Sequence, residues 1–520
     1  MSIRVFRNAA MHTGDDRPAA QAIAVEDGLI LAVGSEADVR AAAGPAAELV
    51  DLDGAAVIPG LNDAHIHTAQ YAHGLTTVDL AGTRSLAEAL AKIAERAAGL
   101  RPGEWLLGGR WNSNVWDPPG QPDRYALDSV CPDNPVALPT VDGHTCWANS
   151  AALRLAGIDA STPDPIGGHI VKDASGEPTG ILRETAMHPL NPFMAATDLG
   201  RLLRIGQQNL LALGLTSVHD IDGEDCHQAY LELKAAGDLK LRVHKATRLP
   251  HFDKALAEGR RTGQGDDWYR IGPLKVFSDG ALGSHTCHTS RPMTGGDQGI
   301  AVQPYDELVR LFRTAAEAGI AVATHAIGDQ ANHLVLDAYE QIGPTPGLRH
   351  RIEHAQHLQP GDVARMARLG VMASMQPVHC TSDMDLVDSL LSGHDLASYA
   401  WRGLLDAGAV LAFGSDAPVE DPNPFAALYA AVTRTRPDGS PIGGWQPEQR
   451  ITMAEAIRAH TYGAAYAAGE EDRKGRLAPG QLADFIAVDV DPYADSPAAV
   501  LRTQVLSTVV GGEVKYQRGA

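Results

Sequence analysis

The stretch AAVIPGLNDAHIH, residues 55–67, opens as a short apolar run and closes on two histidines. Seven further runs share this form: GLTSVHD (214–220), LKLRVHK (239–245), GPLKVFSDG (272–280), IAVATH (320–325), HRIEH (350–354), GVMASMQ (370–376) and AVLAFGSD (409–416). Amphipathic helical patterns lie between most of them, as in YDELVRLFRTAAEAG (305–319) and ANHLVLDAYEQIG (331–343). Strands alternating with helices of this length build βαβ units on a parallel sheet. Eight such units predict an α/β chain closed as a (β/α)8 TIM barrel over residues 55–474. Active-site groups in that fold sit at the C-terminal ends of strands. The runs end in His, Lys, Asp and Gln, side chains for which an apolar barrel core has no use.

About 145 residues separate the first run from the second, far more than an ordinary βα connection. This insertion, about 75–200, holds Trp105, Trp111, Trp116 and the Pro- and Gly-rich NVWDPPGQPD, and reads as a lid or specificity subdomain, the alternative being a peripheral decoration with its own small core. The two ends, 1–54 and 475–520, carry short alternating strand-like pieces, and neither is long enough to close a stable core alone. Pairing them in one small composite β-domain solves the problem for both.

Composition narrows the function. Of the 520 residues 44% are hydrophobic and 21% charged, which excludes disordered and collagen-like chains. Acidic side chains outnumber basic ones 64 to 43, a net charge of −21, so no basic footprint for nucleic acid or anionic lipid is expected. No apolar run reaches the roughly 18–20 residues of a membrane span, and the opening residues lack a secretory core. Five scattered cysteines without a C-x-x-C pair fit reduced thiols. The expectation is a soluble cytoplasmic protein without nucleic-acid or membrane partners. A barrel of this size often presents helices to a second copy, so a homo-oligomer is admitted.

His65 and His67 form an H-x-H at a strand end, a spacing that presents two imidazoles to one point. His325, His354 and Asp416 end three further runs, so four imidazoles and a carboxylate would converge on one barrel mouth. Lys275 lies mid-strand, where an ammonium pointing inward is costly. Two nearby cations would favour its neutral amine, which can take up carbon dioxide as a carbamate whose oxygens bridge two metals. The alternative pairs Lys275 with Asp279 in the same run.

The segments PGLNDAHIHT, KVFSDGALGS, ATHAIGD, RIEHAQ and FGSDAPV together resemble the amidohydrolase superfamily, specifically its family-3 branch, which includes N-substituted formamide deformylases. DGHTCWANSAAL (142–153) and GRLAPGQLADFIAVD (475–489) extend the resemblance over nearly the whole chain. It implies a metal-dependent hydrolase on a distorted (β/α)8 barrel, with a small β-sandwich built from both termini. It further implies that His65, His67 and Asp416 bind the more buried of two divalent ions, and His325 and His354 the second. A carboxylated Lys275 would bridge them. The departure is SHTCHTSRPM (284–293), richer in histidine than the family pattern, and His285 and His288 there read as surface residues.

Zinc leads as the metal, with iron or manganese as alternatives. A hydroxide bridging two cations would attack the carbonyl of a small amide, and Asp416 would move the proton to the leaving amine. No G-x-S-x-G is present, and Cys380 beside His379 reads as pocket lining. Trp111, His144, His379 and Gln376 are the candidate substrate contacts, with Trp116 beside Trp111 as an aromatic wall or as packing within the insertion. His219, Asp220 and Glu184 carry no assigned role. Alternatives to amide cleavage are an ester, carbamate or lactone hydrolase on the same site, and a non-catalytic metal-binding or regulatory barrel.

Overall fold

Each of the eight runs supplies one strand of a single sheet in the computed structural model, which describes residues 3–15, 18–140, 145–166, 168–194, 198–283, 285–296 and 298–519. The strands are β1 Leu61–Ile66, β2 Leu215–Asp220, β3 Arg242–Arg248, β4 Tyr269–Phe277, β5 Val322–Ala326, β6 Arg351–His354, β7 Met372–Met375 and β8 Leu411–Phe413. They lie in chain order, and every ladder between neighbours is parallel. Between β8 and β1 closure falls to the residues just past the strands. Asp416 N–H donates to the His65 carbonyl (2.7 Å) and His67 N–H to that of Ala417 (2.9 Å). Ser415 gives both its N–H (3.0 Å) and its hydroxyl (2.5 Å) to the Asp63 carboxylate. Gly414 is required at this seam, because a Cβ there would stand 2.5 Å from His65 N. The chain is thus an α/β barrel, nearly closed, with its helices outside. The helix Tyr305–Glu317 is typical: Leu308, Leu311, Phe312 and Ala315 recur at helical spacing on its buried face.

The run 55–67 divides into two strands at Gly60, where a Cβ would collide with Thr216 Oγ1 at 2.3 Å. Ala56–Pro59 leaves the barrel and joins a second sheet made from both chain ends. That sheet runs Glu513–Gln517, Val505–Val510, Phe485–Val488, Ala56–Pro59, Arg4–Met11, Ala20–Glu26, Leu29–Gly34, with Glu48–Asp51 beside Arg4–Met11. It curls so that Ile30 N–H reaches the Gln481 carbonyl (2.8 Å) and Ala483 N–H that of Gly28 (2.9 Å). Phe6 and Phe485 meet edge-on inside the curl, with ring centroids 4.9 Å apart. On the outside, the helix Glu36–Ala43 packs Val39 and Ala43 on Val5, Ala22 and Ala24.

By contact the chain forms two units, Met1–Thr68 with Leu203–Ala520, and Ala69–Leu202. The second is built on six strands in the order Gly168–Lys172, Pro178–Glu184, Thr145–Ala148, Val136–Pro139, Leu106–Gly109, Val78–Asp79. Trp111, Trp116 and Trp147 form part of its core, with centroids 5.8–6.4 Å apart. Among the described residues no helix is long and apolar enough to cross a membrane, and all five cysteines are free and buried.

Candidate metal centre

Ligand atoms of His65, His354 and Asp416 lie within 4.8 Å of one another. His65 Nε2 is 3.3 Å and His67 Nε2 3.5 Å from Asp416 Oδ1. The His325 and His354 rings stand 4.6 Å apart, and His65 lies 4.9 Å from His354. The backbone takes unusual turns to achieve this: His354 has φ +75° and Asp416 φ +59°. Such left-handed conformations are uncommon outside glycine and cluster at functional sites.

The far side of each imidazole is held. His65 Nδ1 lies 2.7 Å from Glu353 Oε2 and His67 Nδ1 3.4 Å from Asp222 Oδ1. His354 Nδ1 donates to Gln376 Oε1 (2.8 Å), while His325 Nε2 donates to the Gly280 carbonyl (3.1 Å). Carboxylates and carbonyls only accept, so in the neutral rings of His65, His354 and His325 the opposite nitrogen carries the lone pair. Those nitrogens are Nε2 of His65 and His354, and Nδ1 of His325. His325 Nδ1 is buried without a hydrogen-bond partner.

Charge follows the same arrangement. Burial pushes His325 down to about 3, with Lys275 adding to the effect. Burial, His325 and His65 together hold His354 well below the ordinary imidazole range. For His65, burial opposes the charged form, but Glu353 and Asp416 draw its pKa upward. Burial also opposes ionisation of Asp416, yet His65, His379 and His67 keep its carboxyl well below the usual range.

Lys275 is 1% exposed and its Nζ has no hydrogen-bond partner. Burial pushes it down to about 8, against the pull of Glu353 and Asp416. Asp279 is not its partner: that carboxylate accepts the N–H groups of Ile327 (3.1 Å), Gly328 (2.8 Å) and His288 (2.9 Å). An unpaired amine and an unpaired imidazole nitrogen, beside donors already converging on one point, fit divalent ions bound through nitrogen and oxygen.

The candidate substrate contacts are placed unequally. His379 lies parallel to His354, centroids 5.9 Å apart; its Nε2 is unpartnered, 3.9 Å from Asp416 Oδ2. Gln376 spends its oxygen on His354 and keeps a buried, unpartnered Nε2. Trp111 belongs to the second unit, where it is 2% exposed in the core and its indole N–H donates to the Leu138 carbonyl (2.7 Å). His144 lies outside the described residues. His285 is exposed and His288 half-buried. Sequence reasoning did not single out Glu353, Asp222 or Asp63. The available signal was their position: Glu353 adjoins His354, and Asp63 precedes His65 by two residues.

The amidohydrolase family profile matches residues 48–516, taking in the barrel and the terminal sheet apart from Arg4–Met11, Ala20–Glu26 and Leu29–Gly34. The chain belongs to the amidohydrolase family. Membership makes it a hydrolase of carbon–nitrogen bonds other than peptide bonds. This amidohydrolase is 34% identical to the Arabidopsis thaliana protein LONG AFTER FAR-RED 3, over 98% of this chain and 91% of that one. It is 32% identical to the N-substituted formamide deformylase of Arthrobacter pascens, over 98% of both chains. A solved structure of an uncharacterized metal-dependent hydrolase from Pyrococcus furiosus aligns at a TM-score of 0.76 and 28% identity, covering 94% of this chain and 100% of that one.

Proposed function

We propose that this amidohydrolase is metal-dependent and cleaves the amide-type C–N bond of a small non-peptide molecule, such as an N-substituted formamide or a cyclic amide. The observation that carries the reading is Lys275, a buried amine over the Phe277 ring (4.7 Å to its centroid) without a hydrogen-bond partner, among donors that converge as a ligand set would. The likeness to a formamide deformylase over nearly the full length of both chains supports the bond type.

In this reading His65, His67 and Asp416 hold one divalent ion and His325 and His354 a second. Lys275, carboxylated by carbon dioxide, serves both. Zinc leads by the nitrogen-rich donor set, with iron and manganese as alternatives. When bound, such ions polarise a carbonyl and bring the pKa of water towards neutrality. The protein's own groups move the proton. Asp416, kept ionised by the imidazoles around it, accepts the proton of the attacking water and passes it to the leaving nitrogen. His379 Nε2 and Gln376 Nε2, both buried and unpaired, are the groups for orienting substrate.

The test is a panel of N-formyl, N-acetyl and cyclic amides, offered to zinc-loaded protein with release of amine or acid followed. Turnover of at least one amide is expected. Turnover confined to esters, carbamates or lactones would overturn the bond assignment.

A further inference from the structure

Behind His65 runs a string of buried polar groups that crosses the barrel interior and touches neither the mouth nor solvent. Glu353, on β6, lies against His65 Nδ1 at 2.7 Å. Arg351, two residues earlier on the same face, puts Nε 2.6 Å from the other Glu353 oxygen, an ion pair that lacks hydrogen-bond geometry. Its Nη1 then donates to His219 Nδ1 on β2 (2.7 Å). Glu353 and His219 are fully buried and Arg351 is 1% exposed. The φ of +75° at His354 breaks strand alternation there, so the adjacent Glu353 and His354 both reach the His65 ring.

The direction of each proton can be read off this string. A guanidinium only donates, so His219 Nδ1 accepts and its Nε2 carries the hydrogen. Asn62 Nδ2 stands 3.5 Å from that Nε2 and Asn62 Oδ1 is buried without a hydrogen-bond partner, an assignment that exchanging the amide nitrogen and oxygen resolves. The carboxamide therefore turns its oxygen to His219. At the other end, a carboxylate held by Arg351 only accepts, so His65 carries its hydrogen on Nδ1. Its Nε2 lies 3.3 Å from the Asp416 carboxylate, and in the neutral ring its lone pair faces that oxygen, so the two atoms are placed to share a cation.

We propose that Glu353, backed by Arg351 and His219, is a positioning residue that selects the His65 tautomer with an open Nε2 and thereby sets metal affinity at that end of the site. The role in affinity rests on the metal-dependent reading above; the tautomer does not. Glu353→Gln is the informative change. Its amide oxygen would turn to Arg351, leaving an NH2 group against His65 Nδ1 and forcing the hydrogen onto Nε2. Glu353→Asp keeps an acceptor.

The experiment is nitrogen NMR of metal-free protein labelled at histidine, at alkaline pH where imidazoles are neutral, with His65 assigned by its loss in His65→Asn. Zinc affinity is measured in parallel by competition with a chromophoric chelator. Expected are Nδ1–H in the wild type and in Glu353→Asp, Nε2–H in Glu353→Gln, and a loss of zinc affinity of about tenfold or more in the latter. Nε2–H in the wild type, or an unchanged tautomer and affinity in Glu353→Gln, would overturn the proposal. Should Glu353→Gln fail to fold, the wild-type tautomer alone decides. A wild type that binds no zinc yet shows the tautomer switch would sink the metal reading and leave the tautomer assignment to Glu353 standing.

Discussion

The cluster at the barrel strand ends and the tryptophan core of residues 69–202 both drew notice in the sequence, and both are buried. They differ in what their polar atoms do. In the tryptophan core every indole N–H is satisfied: Trp111 by Leu138, Trp116 by Thr83 Oγ1 at 3.2 Å, and Trp147 by Asp123 at 2.8 Å. In the strand-end cluster, Lys275 Nζ, His325 Nδ1 and His379 Nε2 have no hydrogen-bond partner. A folded core pairs its polar groups because leaving one unpaired costs about 1–3 kcal/mol. Unpaired groups that persist side by side mark a place built to receive something else. Aromatic richness alone, which made Trp111 and Trp116 attractive as a substrate wall, carries no such mark.

The contrast can be broken at either region. The largest effect is expected for Asp416→Asn, which should lower kcat/KM on the best amide of the panel about a thousandfold, in line with the loss of a general base. Wild-type rate with metal still bound would remove Asp416 from proton transfer. Lys275→Ala comes next: metal content should fall, hydrolysis should drop about a hundredfold, and added short carboxylic acids should restore part of it. Unchanged stoichiometry and rate would mean that the unpaired amine is not a ligand precursor.

On the other side of the comparison, Trp147→Ala should cost about 3–5 kcal/mol in the unfolding of its own unit, as for other buried aromatics. Denaturant melts would register it, and metal content should not change. The smallest effect concerns pH. Carbon dioxide reacts with the neutral amine, and burial pushes Lys275 down to about 8. Reloading of metal-free protein with zinc under a fixed partial pressure of carbon dioxide should therefore quicken as pH rises towards about 8 and level off above it. A rate independent of pH across that range would contradict an amine that must first lose its proton.

The barrel was legible because each strand is a short apolar run that ends in or near a polar side chain, and β1 to β8 each overlap one of the eight runs. The strand-end ligands were legible for the same reason: His325 and Asp416 stand where an apolar core would not tolerate them unpaired. What supports the ligands was not legible. Glu353 reaches His65 across 288 residues of sequence, and Asp63 reaches Ser415 across 352. Such pairings depend on how the parallel strands register around the barrel, which no local pattern records. Strand alternation also misleads at HRIEH, since His354 joins Glu353 at the site only through its left-handed backbone. The partition of residues 55–67 between two sheets turns on Gly60, whose need for closeness to Thr216 is likewise a long-range fact.

Metal content per chain, by elemental mass spectrometry on protein purified without chelator, decides whether the strand-end cluster is a metal centre. About two divalent ions per chain are expected, held by the strand-end histidines, Asp416 and carboxylated Lys275. No bound metal, even after incubation with zinc or manganese in bicarbonate, would contradict a metal centre there.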